Sequence, residues 1–280
     1  MKTLTTSENI STLQDKAKFA GLTIKKASEM AAWGFCMVIY GAPGVGKTTL
    51  AATCADSLYG APVLFCDADG GMRSISHRND IDVIEVINWK QITSLTNEVQ
   101  KECPWKTIVH DNLSEYRIVN MRSITAEIPT WPEYNRNTTE MLVFIRKWRD
   151  IARLHGINVI FIAWDKSEKD ESTGFIKKEL AFTPSLAETL PGVVDIIGHM
   201  TIENDPPIFT RLLNFSPGPR TSAKFRRSKS EHASKIPLVI PNPTMVDLLA
   251  TLKGGEPWPE SKYAKYEIKA TGKVTPTSTK

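Results

Sequence analysis

The sequence predicts an α/β fold, in which helices cover both faces of a mostly parallel central sheet, and three observations support this class. Short apolar runs rich in β-branched residues alternate with longer amphipathic stretches, as strands and helices do in parallel-sheet proteins. A glycine-rich loop at residues 41–48 joins the first apolar run to a helical stretch. Two apolar runs on either side of residues 204–207 (NDPP) predict a C-terminal antiparallel hairpin.

The elements can be assigned in order from the local pattern. Continuous apolar runs predict buried strands at residues 35–40, 62–67, 107–111 and 159–163. Amphipathic stretches predict helices at residues 48–58, 91–102 and 138–155. In the last helix, apolar side chains recur at the helical period: Met141, Leu142, Ile145, Trp148, Ile151, Ala152 and Leu154. The predicted hairpin spans residues 193–203 and 208–215.

Composition divides the 280-residue chain into three parts. Residues 1–33 are a polar lead-in and a candidate oligomerisation segment. Residues 34–250 form the predicted α/β domain, and the chain's hydrophobic content of 41% is ample for a core. Residues 251–280 are rich in lysine, threonine, proline and glycine, which predicts a disordered tail.

Composition also argues against several classes of protein. No apolar run approaches the roughly 18 residues of a membrane span, and the amino-terminal residues lack the apolar core of a signal peptide. The four cysteines form no C-x-x-C or Cys/His spacing, so neither zinc nor disulfides are indicated. We therefore expect a soluble, cytoplasmic protein without a membrane partner. The net charge of +4 is too small to identify a partner.

Residues 41–48 read GAPGVGKT and complete the phosphate-binding pattern G-x-x-x-x-G-K-[ST]. The backbone N–H groups of such a loop surround the phosphates, its lysine reaches the β- and γ-phosphates, and its threonine hydroxyl binds Mg²⁺. No N-K-x-D motif for reading guanine occurs, which disfavours a GTPase. We expect ATP and Mg²⁺ as cofactors, with these nucleotide ligands: Gly41, Ala42, Pro43, Gly44, Val45, Gly46, Lys47, Thr48 and Thr49.

Two carboxylates beyond the loop are candidates for the chemistry. Asp111 ends the strand at residues 107–111, where a carboxylate supports the Mg²⁺ of P-loop enzymes; the alternative is an aspartate that only caps the following turn. Asn112 follows it and cannot act as a base, so another group must orient the attacking water. Asp69, just after the strand at residues 62–67, is the candidate catalytic base. The alternative for Asp69 is a solvated loop acid.

These residues resemble a known group of ATPases. Residues 65–69 (FCDAD) are similar to the F-x-D-x-E pattern that ends the second strand of RecA-like ATPases, whose last acid is the catalytic base. AAA+ machines usually carry glutamate where this chain has Asn112, which favours the RecA-like branch. Further matches resemble the short RecA-like ATPases of phages, known as phage nucleotide-binding proteins or single-strand annealing recombinases: residues 24–28, 67–71, 88–89, 105–111, 131–134, 158–163, 183–186, 190–191 and 194–195.

The resemblance implies a homo-oligomer, a ring or a filament, in which neighbouring subunits complete each nucleotide site. Lys224 and Arg226 are similar to the K-x-R element that RecA-like ATPases insert into the neighbour's site, where cations stabilise the transferring phosphoryl group. They lie in a basic cluster at residues 220–235, for which contact with nucleic-acid phosphates and an inert solvated loop remain alternatives. Relatives often have histidine or another polar sensor where this chain has Trp164.

The resemblance also implies single-stranded DNA as a partner, bound at residues 121–136 and 165–179, after the third and fourth core strands. Trp131 and Tyr134 of the first segment could stack on bases, or Trp131 could be a packing lid. The expected function is ATP binding and hydrolysis in phage DNA recombination, by annealing or strand exchange, with a single-strand DNA-binding protein as a further partner. The alternatives are a P-loop small-molecule or nucleoside kinase with a lid at residues 220–229, and a nucleotide-dependent switch in phage replication or packaging.

Overall fold

The computed structural model describes residues 18–19, 22–23, 34–127, 133–169, 174, 176–205, 208–218, 221–227, 230–264, 266–268 and 274–276. The chain divides into two compact units, Met1–Trp33 and Gly34–Lys280. In the first unit, the two-residue strands Lys18–Phe19 and Leu22–Thr23 pair antiparallel. The rest of the predicted lead-in lies outside the described residues.

Within the described part of the second unit, ten strands form one sheet. They are β1 (Cys36–Gly41), β2 (Val63–Asp67), β3 (Ile81–Glu85), β4 (Thr107–Asp111), β5 (Asn158–Lys169), β6 (Ile176–Leu180), β7 (Ile196–Asp205), β8 (Ile208–Asn214), β9 (Lys224–Phe225) and β10 (Val239–Pro241). The order is β10-β8-β7-β1-β5-β4-β2-β3, with β6 beside β5 and β9 beside β7. The pairings from β7 to β3 are parallel. Those of β6, β8, β9 and β10 are antiparallel, which confirms the predicted sheet and hairpin.

Helices cover both faces of this sheet. They are α1 (Lys47–Ala52), α2 (Trp89–Lys101), α3 (Leu113–Glu127), α4 (Glu133–His155), α5 (Pro184–Val193), α6 (Glu231–Ser234), α7 (Met245–Leu252) and α8 (Glu260–Tyr263). Successive side chains of a strand point to opposite faces. In β1, Val38 and Tyr40 pack with α2 to α5, whereas Met37 and Ile39 pack with α1, α7 and α8. None of the described helices is long and apolar enough to cross a membrane.

The strand β3 and the helix α3 escaped prediction because polar residues interrupt their apolar pattern. β3 is an edge strand in which Asp82 and Glu85 are exposed. α3 buries Ser114 and Asn120 among its apolar side chains, so its inward face does not read as an amphipathic stripe.

The two segments expected to be DNA-binding loops are largely regular structure. Residues 121–127 belong to α3 and residues 133–136 to α4, while Trp131 lies outside the described residues. Residues 165–169 and 176–179 belong to an antiparallel hairpin formed by β5 and β6. The fourth core strand does not end where its apolar run ends, because β5 continues through the polar residues 165–169, which pair with β6.

The predicted disordered tail at residues 251–280 is wrong for residues 251–264. Trp258 is 5% exposed and Tyr263 is 9% exposed, and their rings stack with centroids 5.0 Å apart. Both belong to the apolar cluster that includes side chains of α1 and α7. Composition misled because two aromatic side chains can anchor a segment that is otherwise polar. Farther on, strands Tyr266–Ile268 and Val274–Pro276 pair antiparallel.

Replacing Trp258 with alanine will lower the free energy of unfolding by about 3 kcal/mol, because it removes a large buried aromatic side chain. Urea unfolding followed by circular dichroism measures the change. Leu58→Ala is the matched control, since Leu58 is 86% exposed and its truncation should cost less than about 0.5 kcal/mol. Equal effects of the two substitutions would contradict the placement of Trp258 in the core.

Candidate nucleotide-binding site

A cleft forms where the parallel strands end. β1, β2 and β4 end at Gly41, Asp67 and Asp111, on the same edge of the sheet. β5 lies between β1 and β4, and its Trp164 is level with Gly41. The cleft has a volume of about 320 Å³. Loop residues line it together with Asp69, Asp111, Asn112, Trp164 and Arg211.

The loop at residues 41–48 has a backbone that requires glycine at several points. Gly44 and Gly46 have φ angles of 80° and 99°, in the left-handed region that other residues avoid. A Cβ atom on Gly41 would lie 2.2 Å from the Met200 carbonyl oxygen, so β1 can approach β7 this closely only with glycine there. The loop leads directly into α1. This is the backbone arrangement that surrounds phosphate in P-loop proteins.

Lys47 is folded back onto its own loop. Its ammonium group donates hydrogen bonds to the Gly41 and Ala42 carbonyl oxygens at 2.8 and 2.9 Å. Burial lowers the pKa of Lys47, and the nearby Asp111 carboxylate partly offsets this. Phosphate oxygens are stronger partners for a cation than neutral carbonyl oxygens. The cradle therefore fits a polyphosphate, to which Lys47 can transfer its hydrogen bonds.

Thr48 and Asp111, the predicted Mg²⁺ ligands, are in contact. The Thr48 hydroxyl donates a hydrogen bond to Asp111 Oδ2 at 2.6 Å. Burial raises the pKa of Asp111 to about 6, although the Thr48 hydrogen bond lowers it. Burial makes the ionised carboxylate unfavourable when no cation is bound, and a divalent cation would stabilise that ionised form. One carboxylate and one hydroxyl beside phosphates is also the ligand set typical of Mg²⁺, so these residues fit the ion.

Asp69 lines the same cleft, and Asn112 holds it in place. The Asn112 amide donates to Asp69 Oδ2, while its Oδ1 accepts the Glu115 backbone N–H at 2.7 Å. Burial, with a contribution from Asp67, raises the pKa of Asp69. A raised pKa suits a carboxylate that must accept a proton from water. The amide of Asn112 cannot act as a base, but its hydrogen bond positions Asp69, the candidate base.

Asp67 shapes the turn that carries Asp69. Its Oδ1 accepts hydrogen bonds from the backbone N–H groups of Asp69, Gly70 and Gly71, at 3.3, 3.0 and 3.3 Å. Gly70 has a φ angle of 72°, which permits this tight turn. The carboxylate of Asp67 thus fixes the backbone from which the Asp69 side chain enters the cleft.

A polar cluster that the sequence did not predict lies beside the loop. The His199 ring stacks on Tyr40 with centroids 4.6 Å apart, and its Nε2 is 3.8 Å from Asp165 Oδ2. The Tyr40 hydroxyl donates to the Lys178 carbonyl at 3.3 Å and accepts the Ser222 N–H at 3.0 Å. Burial lowers the pKa of His199. The cluster joins the residue that precedes the loop to the β5–β6 hairpin.

Lys224 and Arg226 lie away from the chain's own phosphate cleft. β9 pairs with Ile196 and Ile197 at the start of β7, whereas the loop lies near Met200. The Lys224 ammonium donates to the Pro191 carbonyl and, at 2.7 Å, to the Val194 carbonyl. Arg226 pairs with Asp195 at 3.1 Å. Their insertion into a neighbouring subunit's site stays a prediction.

The candidate DNA-contacting residues are scattered. Arg136 forms ion pairs with Glu127 and Glu140, at 2.9 and 2.8 Å. Tyr134 is exposed on α4. In the hairpin, Lys166, Lys177 and Lys178 each form an ion pair with an acid, as Lys166 does with Glu168 at 3.3 Å. The described residues there form no continuous basic groove.

Arg211 lines the cleft, but no sequence motif identifies it as a cleft residue. It lies on β8, and its Nε donates to the Val45 carbonyl oxygen of the loop at 3.2 Å. Arg211 lies in the predicted hairpin, but the local sequence does not indicate that β7 pairs with β1 and so brings the hairpin next to the loop. The role of Asn112 was hidden for a similar reason, since its partner is 43 residues away in the chain.

In a comparison with models of protein families, residues 34–227 match an AAA domain. The matched span contains the whole cleft, from the glycine-rich loop to Arg211, and also Lys224 and Arg226. Among curated proteins, no match was found.

Lowering the pH through about 6 will weaken Mg²⁺-dependent nucleotide binding, because Asp111 has a pKa of about 6 and its protonated form is a poor metal ligand. Isothermal titration of Mg²⁺–ATP between pH 5 and 8 measures this. Asp111→Asn should bind weakly at every pH and show a flatter profile. Parallel profiles for both proteins would contradict the role of Asp111.

The same residue predicts the sign of a stability effect. The folded protein binds the Asp111 proton more tightly than the unfolded chain, whose pKa is about 4. The contribution of Asp111 therefore increases the free energy of unfolding as the pH falls from about 6 to about 4. Between pH 7 and 4, wild-type protein should gain about 2–3 kcal/mol relative to Asp111→Asn in urea unfolding.

Proposed function

The chain belongs to the AAA domain family, whose members carry a P-loop-type ATPase domain, and from that premise we propose an Mg²⁺-dependent ATPase of the RecA-like type. The observation that carries this is the convergence of Lys47, Thr48, Asp111 and Asp69 on one cleft. The finer proposal is that the ATPase works as a homo-oligomer on single-stranded DNA in phage recombination. The resemblance of the sequence to phage-encoded recombinases supports it.

Each residue has a chemical task in this proposal. The loop N–H groups and Lys47 hold the triphosphate, and Thr48 and Asp111 hold Mg²⁺, which supplies charge neutralisation at the phosphates. Asp69 orients the attacking water and accepts its proton. Asn112 keeps the Asp69 carboxylate directed into the cleft. The candidate base, Asp69, follows β2, as the catalytic base does in the RecA-like ATPases that the sequence resembles. This position favours RecA-like chemistry within the AAA domain family.

The β5–β6 hairpin is the proposed route from nucleotide to DNA. β5 passes the cleft at Trp164 and enters the hairpin at the next residue, Asp165. Asp165 lies 3.5 Å from Lys178 Nζ and 3.8 Å from His199. A rearrangement at the cleft can therefore shift the hairpin through directly contacting groups. Its described residues carry four lysines against three acids, so support for DNA binding comes from this position and from the resemblance, not from a strongly basic surface.

Wild-type protein will hydrolyse ATP faster when single-stranded DNA is added, and the stimulated form will be larger than a monomer. A coupled ATPase assay and multi-angle light scattering on the same samples test this. Asp69→Asn should keep ATP binding but lose at least about 100-fold in turnover. A monomer that transfers phosphate to a nucleoside independently of DNA would contradict the proposal and favour a kinase. Tight ATP binding without turnover would favour a nucleotide switch.

Mixing two inactive variants will restore turnover if Lys224 and Arg226 act on a neighbour's nucleotide. Lys47→Ala subunits keep the K-x-R element but lose their own site, and Arg226→Ala subunits keep the site but lose the element. In a mixed oligomer, on the order of a quarter of the interfaces combine both intact parts. Lys235→Ala, in the same basic cluster, is the control and should retain full activity. No recovery, from subunits shown to co-assemble, would exclude a role across the interface.

A further inference from the structure

Arg211 is a cation built into the phosphate cleft from the side of the C-terminal hairpin. The exposed side chain crosses from β8 to the loop, where Nε bonds to the Val45 carbonyl. A Cβ on Gly46 would lie 2.8 Å from this Nε, so the guanidinium stem passes flush against the loop backbone. Arg211 lines the same cleft as Lys47, Thr48 and Thr49.

The backbone beneath Arg211 is held on both sides. Within the hairpin, it pairs with Ile202 of β7. On its other side, its N–H donates to Asn242 Oδ1 at 3.1 Å, and its carbonyl accepts the Asn242 N–H at 2.6 Å. The start of the side chain is therefore fixed, and the guanidinium head is the part that can move.

The partner of the guanidinium is weak for an arginine. Among the described residues, its side chain bonds to the neutral Val45 carbonyl and to no carboxylate. An arginine fork forms stronger, bidentate bonds with phosphate or carboxylate oxygens. A polyphosphate in the cleft would offer several such oxygens to the Arg211 guanidinium, in place of the single Val45 carbonyl oxygen.

The strand order indicates which end of the nucleotide Arg211 meets. Asp111 and Asp69 follow β4 and β2, on the β5 side of β1, whereas Arg211 stands on β8, beyond β7 on the opposite side. Mg²⁺ and the water-activating carboxylate act at the β- and γ-phosphates. The α-phosphate end of the nucleotide then lies toward the hairpin side.

We propose that Arg211 binds the α-phosphate of the nucleotide held by its own chain, exchanging the Val45 carbonyl for the phosphate oxygens. The inference rests on the proposed function and deepens it, because it assigns a phosphate ligand that the P-loop pattern does not contain. It also distinguishes Arg211, which acts within one chain, from Lys224 and Arg226, which are proposed to act across an interface.

Arg211→Gln tests the proposal, because glutamine can still donate to the Val45 carbonyl but carries no charge and no fork. We expect about a 10-fold loss of affinity for both Mg²⁺–ATP and Mg²⁺–ADP, the size of one charge-assisted hydrogen bond. Inorganic tripolyphosphate, measured by competition, should lose affinity by a similar factor. Arg146→Gln is the matched control, since Arg146 is exposed on α4, and it should bind all three as the wild type does.

The outcomes separate the alternatives. Unchanged ATP and ADP affinities in a folded Arg211→Gln protein would overturn the proposal. A loss for ATP alone would move the contact to the γ-phosphate, and a loss for both nucleotides but not tripolyphosphate would move it to the nucleoside. Either result overturns the α-phosphate assignment. Failure of the proposed function is distinct, because wild-type protein and Lys47→Ala would then bind ATP equally weakly.

Discussion

The parallel pairing of β1 with β5 on one side and β7 on the other is the constraint on which the rest of the structure depends. All six residues of β1 are buried, because helices cover both of its faces and strands both of its edges. The glycine-rich loop begins at its last residue, Gly41, against the Met200 carbonyl of β7. The position of each functional group at the cleft therefore depends on how far the strand that carries it lies from β1 in the strand order.

That placement concentrates charge at one edge of the sheet. Asp67, Asp69 and Asp111 come from β2 and β4 and the turn after β2, and Lys47 and Arg211 reach the cleft from its other parts. Burial raises the pKa values of Asp69 and Asp111 and lowers that of Lys47, so each charge is stabilised less than it would be in water. A site of this kind fits a ligand that brings both anionic oxygens and a divalent cation.

The same edge connects chemistry to the outer parts of the molecule. Tyr40 immediately precedes the loop. Its hydroxyl contacts Lys178 of the β5–β6 hairpin and Ser222, which lies between β8 and β9. Trp164 and Asp165 are consecutive, yet one lines the cleft and the other faces His199. Direct contacts of this sort are what the proposed coupling between nucleotide and DNA would require.

The predictable parts of the fold were those with an uninterrupted local signal. β1, β2 and β4 each contain a run of consecutive apolar residues and are buried at every position, and α4 carries a clear helical stripe. β3 and α3 were missed because an edge strand and a helix with buried Ser114 and Asn120 carry no such signal. The tail was misjudged because composition averages over a segment, whereas Trp258 and Tyr263 alone decide whether residues 251–264 pack.

The sequence by itself determined the phosphate loop, its lysine and threonine, the Asp111 partner and the α/β class. These follow from short-range rules, because a loop, a strand and a helix in succession can be read within a few residues. Only the tertiary structure decided that Asn112 holds Asp69, that Arg211 enters the cleft, and that Lys224 and Arg226 stand apart from it. Those relations depend on strand order, which brings together residues far apart in the chain and which no local pattern encodes.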